Sequence, residues 1–129
     1  SPLKEQPWRI ILTHDASSIP ADSICLTDEF RDRTLVVENV FNYLELLKKL
    51  YNNKKIGTIL LEAGGCLVRE FLKAGLVDEW VGFYAPIIIG GGADGVAPGP
   101  FLEHEAHLEQ PVVNIFGDDV CIRGDICYR

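Results

Sequence analysis

Glu62 stands beside Gly64 and Gly65, and Cys66-Leu67-Val68-Arg69-Glu70 follow at once. A carboxylate next to closely spaced glycines, at the mouth of a helix, can do two kinds of chemistry. Backbone N–H groups in the first turn of a helix have no intrahelical partner and point outward. Glycine lets a ligand approach that backbone closely, so the turn can hold a phosphate. The neighbouring carboxylate can accept hydrogen bonds from a neutral ring or a ribose. The same residues also serve as a plain tight turn with Glu62 capping it. Spacing alone favours that plainer reading, because a glycine pair after a strand is common.

The elements that must position these residues are read from Ile56 to Trp80. Ile59 to Leu61 is a short, partly β-branched apolar run bounded by Gly57, which predicts a buried strand ending at Glu62. Leu67, Val68, Phe71 and Leu72 recur at helical spacing on one face. Gly75 falls where a left-handed helix cap is expected. Leu76 to Ala85 then reads as a second strand.

Upstream, Trp8 to Thr13 reads as a strand, Ile24 to Thr27 as a weaker one, and Thr34 to Glu38 as a β-branched one. Asn42 is positioned to cap a helix, with Glu45 as its box partner three residues on. Tyr43, Leu44, Leu47, Leu50 and Tyr51 form that helix's apolar stripe, and Asn52 to Lys55 ends it. Downstream, Pro86, Ile87 to Ile89 and Gly90-Gly91-Gly92 lead into a loop-like stretch reaching Gln110. Val112 to Phe116 and Val120 to Cys127 read as strands joined by a hairpin turn at Gly117-Asp118-Asp119. Strands alternating with helices predict an α/β domain, with a mostly parallel sheet flanked by helices and a C-terminal antiparallel hairpin.

The 129 residues suit a single domain, and a 47% hydrophobic content is enough to build its core. No apolar run approaches the roughly 20 residues of a membrane span. A net charge of −7 argues against nucleic acid as a partner. It also requires an anionic cofactor to be held by local N–H groups and a few cations against the overall field. Cys25, Cys66, Cys121 and Cys127 show no paired spacing, and with His14, His104 and His107 they make no metal pattern. They read as buried thiols in a reducing, cytoplasmic compartment. There is no methionine, which points to a processed chain or a piece cut from a longer one, and favours the second. Arg69 and Lys73 share a helix face and read as solvated rather than ligand-bound. His104 and His107 read as solvated surface among Glu103, Glu105 and Glu109. Asp78 and Glu79 read as a turn, and Trp80, Phe83 and Tyr84 as core or subunit interface. The glycines at 90–92 fit a ligand loop or a connector equally.

One order of motifs is specific. Leu61-Glu62-Ala63-Gly64-Gly65, a helix, Gly75-Leu76-Val77-Asp78-Glu79, a strand, and Ala85-Pro86 before a glycine-rich loop resemble the reductase domain of the riboflavin-pathway bifunctional deaminase-reductase. Phe116-Gly117-Asp118-Asp119-Val120 is similar to that family's closing hairpin, and Pro7-Trp8-Arg9-Ile10-Ile11-Leu12 to its Pro-x-Arg strand. The resemblance covers nearly the whole chain. It implies a dihydrofolate-reductase-like fold and NADPH-dependent reduction of 5-amino-6-(5-phosphoribosylamino)uracil to the ribitylamino form. By the same resemblance Glu62 contacts substrate, and Gly64, Gly65, Cys66, Leu67, Val68, Arg69 and Glu70 lie along NADPH, with a cis peptide between paired glycines. No residue is implied as the catalytic acid, and no metal. A homodimer is expected, with an upstream deaminase domain in the full-length chain. Two departures stand out. Ala63 occupies the family's first glycine position, and the family's domain begins well before Pro7, so a C-terminal portion is expected. The alternatives are a non-catalytic dimerisation or regulatory module of the same fold, or a reductase of a pteridine-like substrate.

Overall fold

The structure is a computed structural model that describes residues 6–88 and 95–129. The predicted glycine run at 90–92 lies outside them. The chain divides into two compact units, residues 1–59 and 60–129.

In the first unit, β1 (Arg9–Thr13) pairs in parallel with β2 (Thr34–Glu38), Arg9 opposite Thr34 and Thr13 opposite Glu38. Both strands are where the β-branched runs predict them. The predicted strand at Ile24 to Thr27 is instead a short helix, α1 (Ile24–Thr27), with the Asp28 N–H donating to the Ile24 carbonyl at 2.9 Å. Its apolar residues are too few to overcome local hydrogen bonding. The Cys25 carbonyl is further drawn into side-chain bonds from Arg9 Nη2 at 3.1 Å and Thr34 Oγ1 at 2.6 Å. Arg9 also grips Asp28 with two parallel bonds of 2.7 and 2.8 Å, a bidentate geometry that fixes orientation as well as charge.

The second helix of this unit, α2 (Tyr43–Lys54), starts as predicted: Asn42 Oδ1 accepts from the Glu45 N–H at 3.0 Å. The box is half made, because the Glu45 carboxylate takes Lys48 at 2.8 Å. Lys55 ends the helix in the left-handed conformation, φ 58°. Of the predicted stripe, Leu50 is buried and Tyr43 and Leu47 are half-buried, while Leu44 and Tyr51 are exposed.

In the second unit, α3 (Gly65–Lys73) is followed by β3 (Glu79–Tyr84), β4 (Ala106–Phe116) and β5 (Asp119–Tyr128). The three strands form an antiparallel sheet in the order β3-β5-β4. The sheet is therefore not mostly parallel as predicted: one parallel pair lies in the first unit and a three-stranded antiparallel sheet in the second. The prediction took strand direction from alternation with helices. No helix among the described residues lies between β3 and β4, so alternation carried no information there. The hairpin turn is found at Gly117, φ 64°, with Phe116 opposite Asp119. β4 begins earlier than predicted, and a bulge at Gln110 and Pro111 lets it continue through a proline. The hydroxyl of Tyr128 accepts from the Val77 N–H and donates to the Val77 carbonyl, both at 3.1 Å, tying the turn before β3 to the end of β5. Trp80 is half-buried, but Phe83 and Tyr84 are exposed and so are not core. Phe71, Leu72 and Cys121 are the buried apolar side chains of this unit.

Candidate functional site

Ile59 to Leu61 belongs to no strand, against prediction. Leu60 is 79% exposed and Ile59 40%. A strand needs a neighbour to complete its ladder, and none among the described residues pairs with this run. Glu62 follows in extended chain. Its carboxylate is exposed, and no described residue bonds to it. Glu62 is thus free to meet a ligand and does not cap the turn.

The helix forms where the spacing predicts it. Gly64 is its N-cap at φ −63°, ψ 157°, with no side-chain cap. The N–H groups of Leu67 and Val68 both donate to the Gly64 carbonyl, at 3.0 and 3.3 Å. The N–H groups of Gly65 and Cys66 are left without a partner among the described residues. Phe71 and Leu72, 6% and 8% exposed, hold the helix to its unit. At its far end Gly75 takes φ 65°, and the Leu76 N–H donates to the Phe71 carbonyl at 3.0 Å, the predicted left-handed cap. No peptide bond among the described residues is cis, so the expected cis glycine pair is absent.

The two glycines play different parts. A Cβ built on Gly64 would meet nothing within 4 Å. One on Gly65 would come within 2.6 Å of Pro98 Cδ and 2.7 Å of the Gly95 carbonyl oxygen. Segment 95–100 therefore lies directly on the first turn of α3. Arg69 reaches the same segment, Nη2 donating to the Pro100 carbonyl at 2.7 Å. Its side chain is 12% exposed, against the prediction of solvation, whereas Lys73 is exposed as expected. Cys66 is exposed, contrary to the expectation of buried thiols, and Leu67, Val68 and Glu70 are half-buried. The sequence reading missed Pro98, Gly99 and Pro100 as site residues. Their signal was the proline-flanked glycine itself, a stiff turn too ordered for a plain loop. His107 lies on β4 and not in a loop, but its side chain is at the surface as expected, 2.8 Å from the exposed Glu105 carboxylate. An open depression lined by Phe101, Leu102, Glu105, Ala106 and His107 includes none of the predicted site residues.

Residues 1–122 match the family model of the RibD C-terminal domain. The chain belongs to the RibD C-terminal domain family. It is 35% identical over 95 residues to the riboflavin biosynthesis protein RibD of Escherichia coli, covering 70% of this chain and 26% of that protein. The RibD of Mycobacterium tuberculosis is 31% identical over 87 residues, covering 67% of this chain and 23% of that one. The chain thus spans about a quarter of the length of these curated RibD relatives. The α/β fold matches that of Acinetobacter baumannii RibD, with TM-score 0.77 at 24% identity over 94% of this chain and 38% of that one. A pyrimidine reductase-like protein from Corynebacterium diphtheriae matches with TM-score 0.57 at 16% identity, over 92% of this chain and 50% of that one. No helix among the described residues is long and apolar enough to cross a membrane.

Proposed function

We propose that this chain is the reductase portion of a riboflavin-pathway enzyme, an oxidoreductase that reduces 5-amino-6-(5-phosphoribosylamino)uracil to the ribitylamino form with NADPH. The observation that carries the reading is the start of α3, in a chain of the RibD C-terminal domain family: two N–H groups without partners among the described residues, three and four positions after an exposed carboxylate. These residues suit a dinucleotide on three counts. No described atom comes within 4 Å of where a Gly64 Cβ would stand, which in this reading leaves that side of the turn to a ligand. The N–H groups of Gly65 and Cys66 sit at the positive end of the helix dipole, where a phosphate oxygen is favoured. Arg69 Nε is buried with no partner among the described residues, a cation beside the same turn.

NADPH, when bound, supplies the hydride, and the chain's own residues bind and orient. Gly64, Gly65, Cys66, Leu67, Val68, Arg69 and Glu70 line the dinucleotide. Gly65 and Cys66 donate their N–H groups to its phosphates. Glu62 would accept hydrogen bonds from the substrate's ring or hydroxyl donors and so orient it. Both units belong to one reductase domain in this reading, which the family match running through residues 1–122 supports. In the cytoplasm the domain works as a homodimer, and an upstream deaminase domain completes the full-length protein.

NADPH titration and ribose-reductase assays test the proposal. The isolated chain is expected to bind NADPH but turn over weakly, and the full-length protein to turn over well. Glu62→Gln in the full-length protein removes a charged acceptor worth about 1.5–3 kcal/mol. That corresponds to a loss of about 10- to 100-fold in kcat/KM. An unchanged rate would favour a non-catalytic module of the same fold. Normal NADPH binding without turnover of this substrate would favour a pteridine-like one.

A further inference from the structure

Segment 95–100 is fastened to α3 at two points of contrasting chemistry. At Gly65 the fit is steric: the segment occupies the space of the missing side chain, with the Val96 carbonyl oxygen 3.0 Å from where a Cβ would be. At Arg69 it is polar. Nη2 donates to the Pro100 carbonyl at 2.7 Å, and Nη1 lies 3.5 Å from the neighbouring Glu70 carboxylate. The guanidinium lies under Gly99, whose φ of 125° brings its Cα so close that a Cβ would be 2.7 Å from Arg69 Nε. Arg69 Nε is buried and has no partner among the described residues. Burying a guanidinium while leaving one donor unused is unfavourable. A position near the surface of a helix tolerates it only for a compensating gain, and the gain visible here is the order it imposes on 95–100.

We propose that Arg69 is a latch, a positioning residue that holds segment 95–100 on Gly65, and that the latched segment forms one wall of the dinucleotide groove at the start of α3. The second half rests on the reading of that turn as an NADPH site. The segment is a wall and not a plug because the two glycines divide the work. Gly65 is spent on seating the segment, while the space over Gly64 stays open. The wall also carries chemistry. It sets the carbonyl oxygens of Gly95 and Val96 against Gly65, 2.7 and 3.0 Å from where its Cβ would be, on the same turn whose Gly65 and Cys66 N–H groups find no acceptor among the described residues. A dinucleotide presents both phosphate acceptors and ribose or carboxamide donors.

The test uses the full chain, with amide hydrogen exchange of segment 95–101 and NADPH titration by fluorescence, circular dichroism checking the fold of each variant. Arg69→Met keeps the aliphatic stem but removes the donors, Arg69→Lys returns one cation, and Gly99→Ala strains the latch from the other side without replacing any residue of α3. Arg69→Met and Gly99→Ala are each expected to speed exchange at 95–101 and weaken NADPH about tenfold as preorganisation is lost, with Arg69→Lys recovering part of both. Unchanged exchange in both disrupting variants overturns the latch. Faster exchange with equal or tighter NADPH binding overturns the wall. If the unaltered chain binds no NADPH, the cofactor reading falls, and exchange alone decides whether Arg69 latches the segment.

Discussion

Gly64 and Gly65 look interchangeable in the sequence, yet a methyl group separates them. Gly64 has an ordinary negative φ and open space around it, so alanine there loses only the modest preference for glycine over alanine at an N-cap. Gly65 has Pro98 and the Gly95 carbonyl where its Cβ would be, so alanine must displace backbone. Gly65→Ala is expected to lower stability by about 1–3 kcal/mol, the usual range for overpacking. Gly64→Ala should cost less than about 1 kcal/mol. Urea midpoints of the two variants decide the matter, and equal losses would mean that segment 95–100 does not press on the helix. A second residue-scale expectation concerns Asp28. The hydrogen bonds from Arg9 hold its carboxyl below the usual carboxylate range, helped by the Phe30 N–H. A depressed folded-state value means that the unfolded chain takes up the proton first as pH falls. The pair's contribution is therefore fully present above the ordinary Asp range and is lost on acidification through the folded value. The thermal stability of the unaltered chain should fall on acidification below the ordinary Asp range, about pH 4, more than that of Asp28→Asn. Parallel pH profiles for the two proteins would show that the half-buried pair adds nothing.

At the scale of elements, what was legible in the sequence was what is decided locally. α2 and α3 carry their own caps and apolar faces, Asn42 at one start and Gly75 at one end, so period and punctuation placed both. The hairpin at Gly117 is likewise a local turn between adjacent strands. What failed depends on partners distant in sequence. Ile59 to Leu61 has the composition of a buried strand but pairs with nothing among the described residues, and β-propensity without a neighbour is only a fit to a pleated surface. The Ile24 to Thr27 run was lost to side chains arriving from Arg9 and Thr34, contacts that no window of sequence contains. The sense of the sheet was misread for the same reason, since pairing of β3 with β5 spans Glu79 to Asp125. The candidate site divides along this line too. Glu62, Gly64 and the helix start were readable as one continuous motif, while the segment that covers Gly65 enters from 30 residues downstream of it, at Gly95.

For the whole molecule, the open question is whether the units 1–59 and 60–129 behave as the single domain proposed. The chain carries its own reporters, because it has two tryptophans and each unit contains one. Trp8 is half-buried with Lys54 Nζ 4.4 Å and Arg33 5.5 Å from its ring centroid, so its fluorescence follows the packing of the first unit. Trp80 lies in β3 opposite Gly124 of β5 and follows the antiparallel sheet. A single domain of this size ordinarily unfolds in one all-or-none transition, seen at the same midpoint by every probe. Trp80→Phe leaves Trp8 as the sole reporter, and Trp8→Phe leaves Trp80. In each variant the fluorescence midpoint in urea is expected to coincide with that of far-UV circular dichroism, because both units then share one cooperative transition. Comparing two probes within one variant removes the variant's own change in stability from the comparison. A fluorescence transition that departs from the circular dichroism in either protein would make the units independently stable, and the single-domain reading would give way to two.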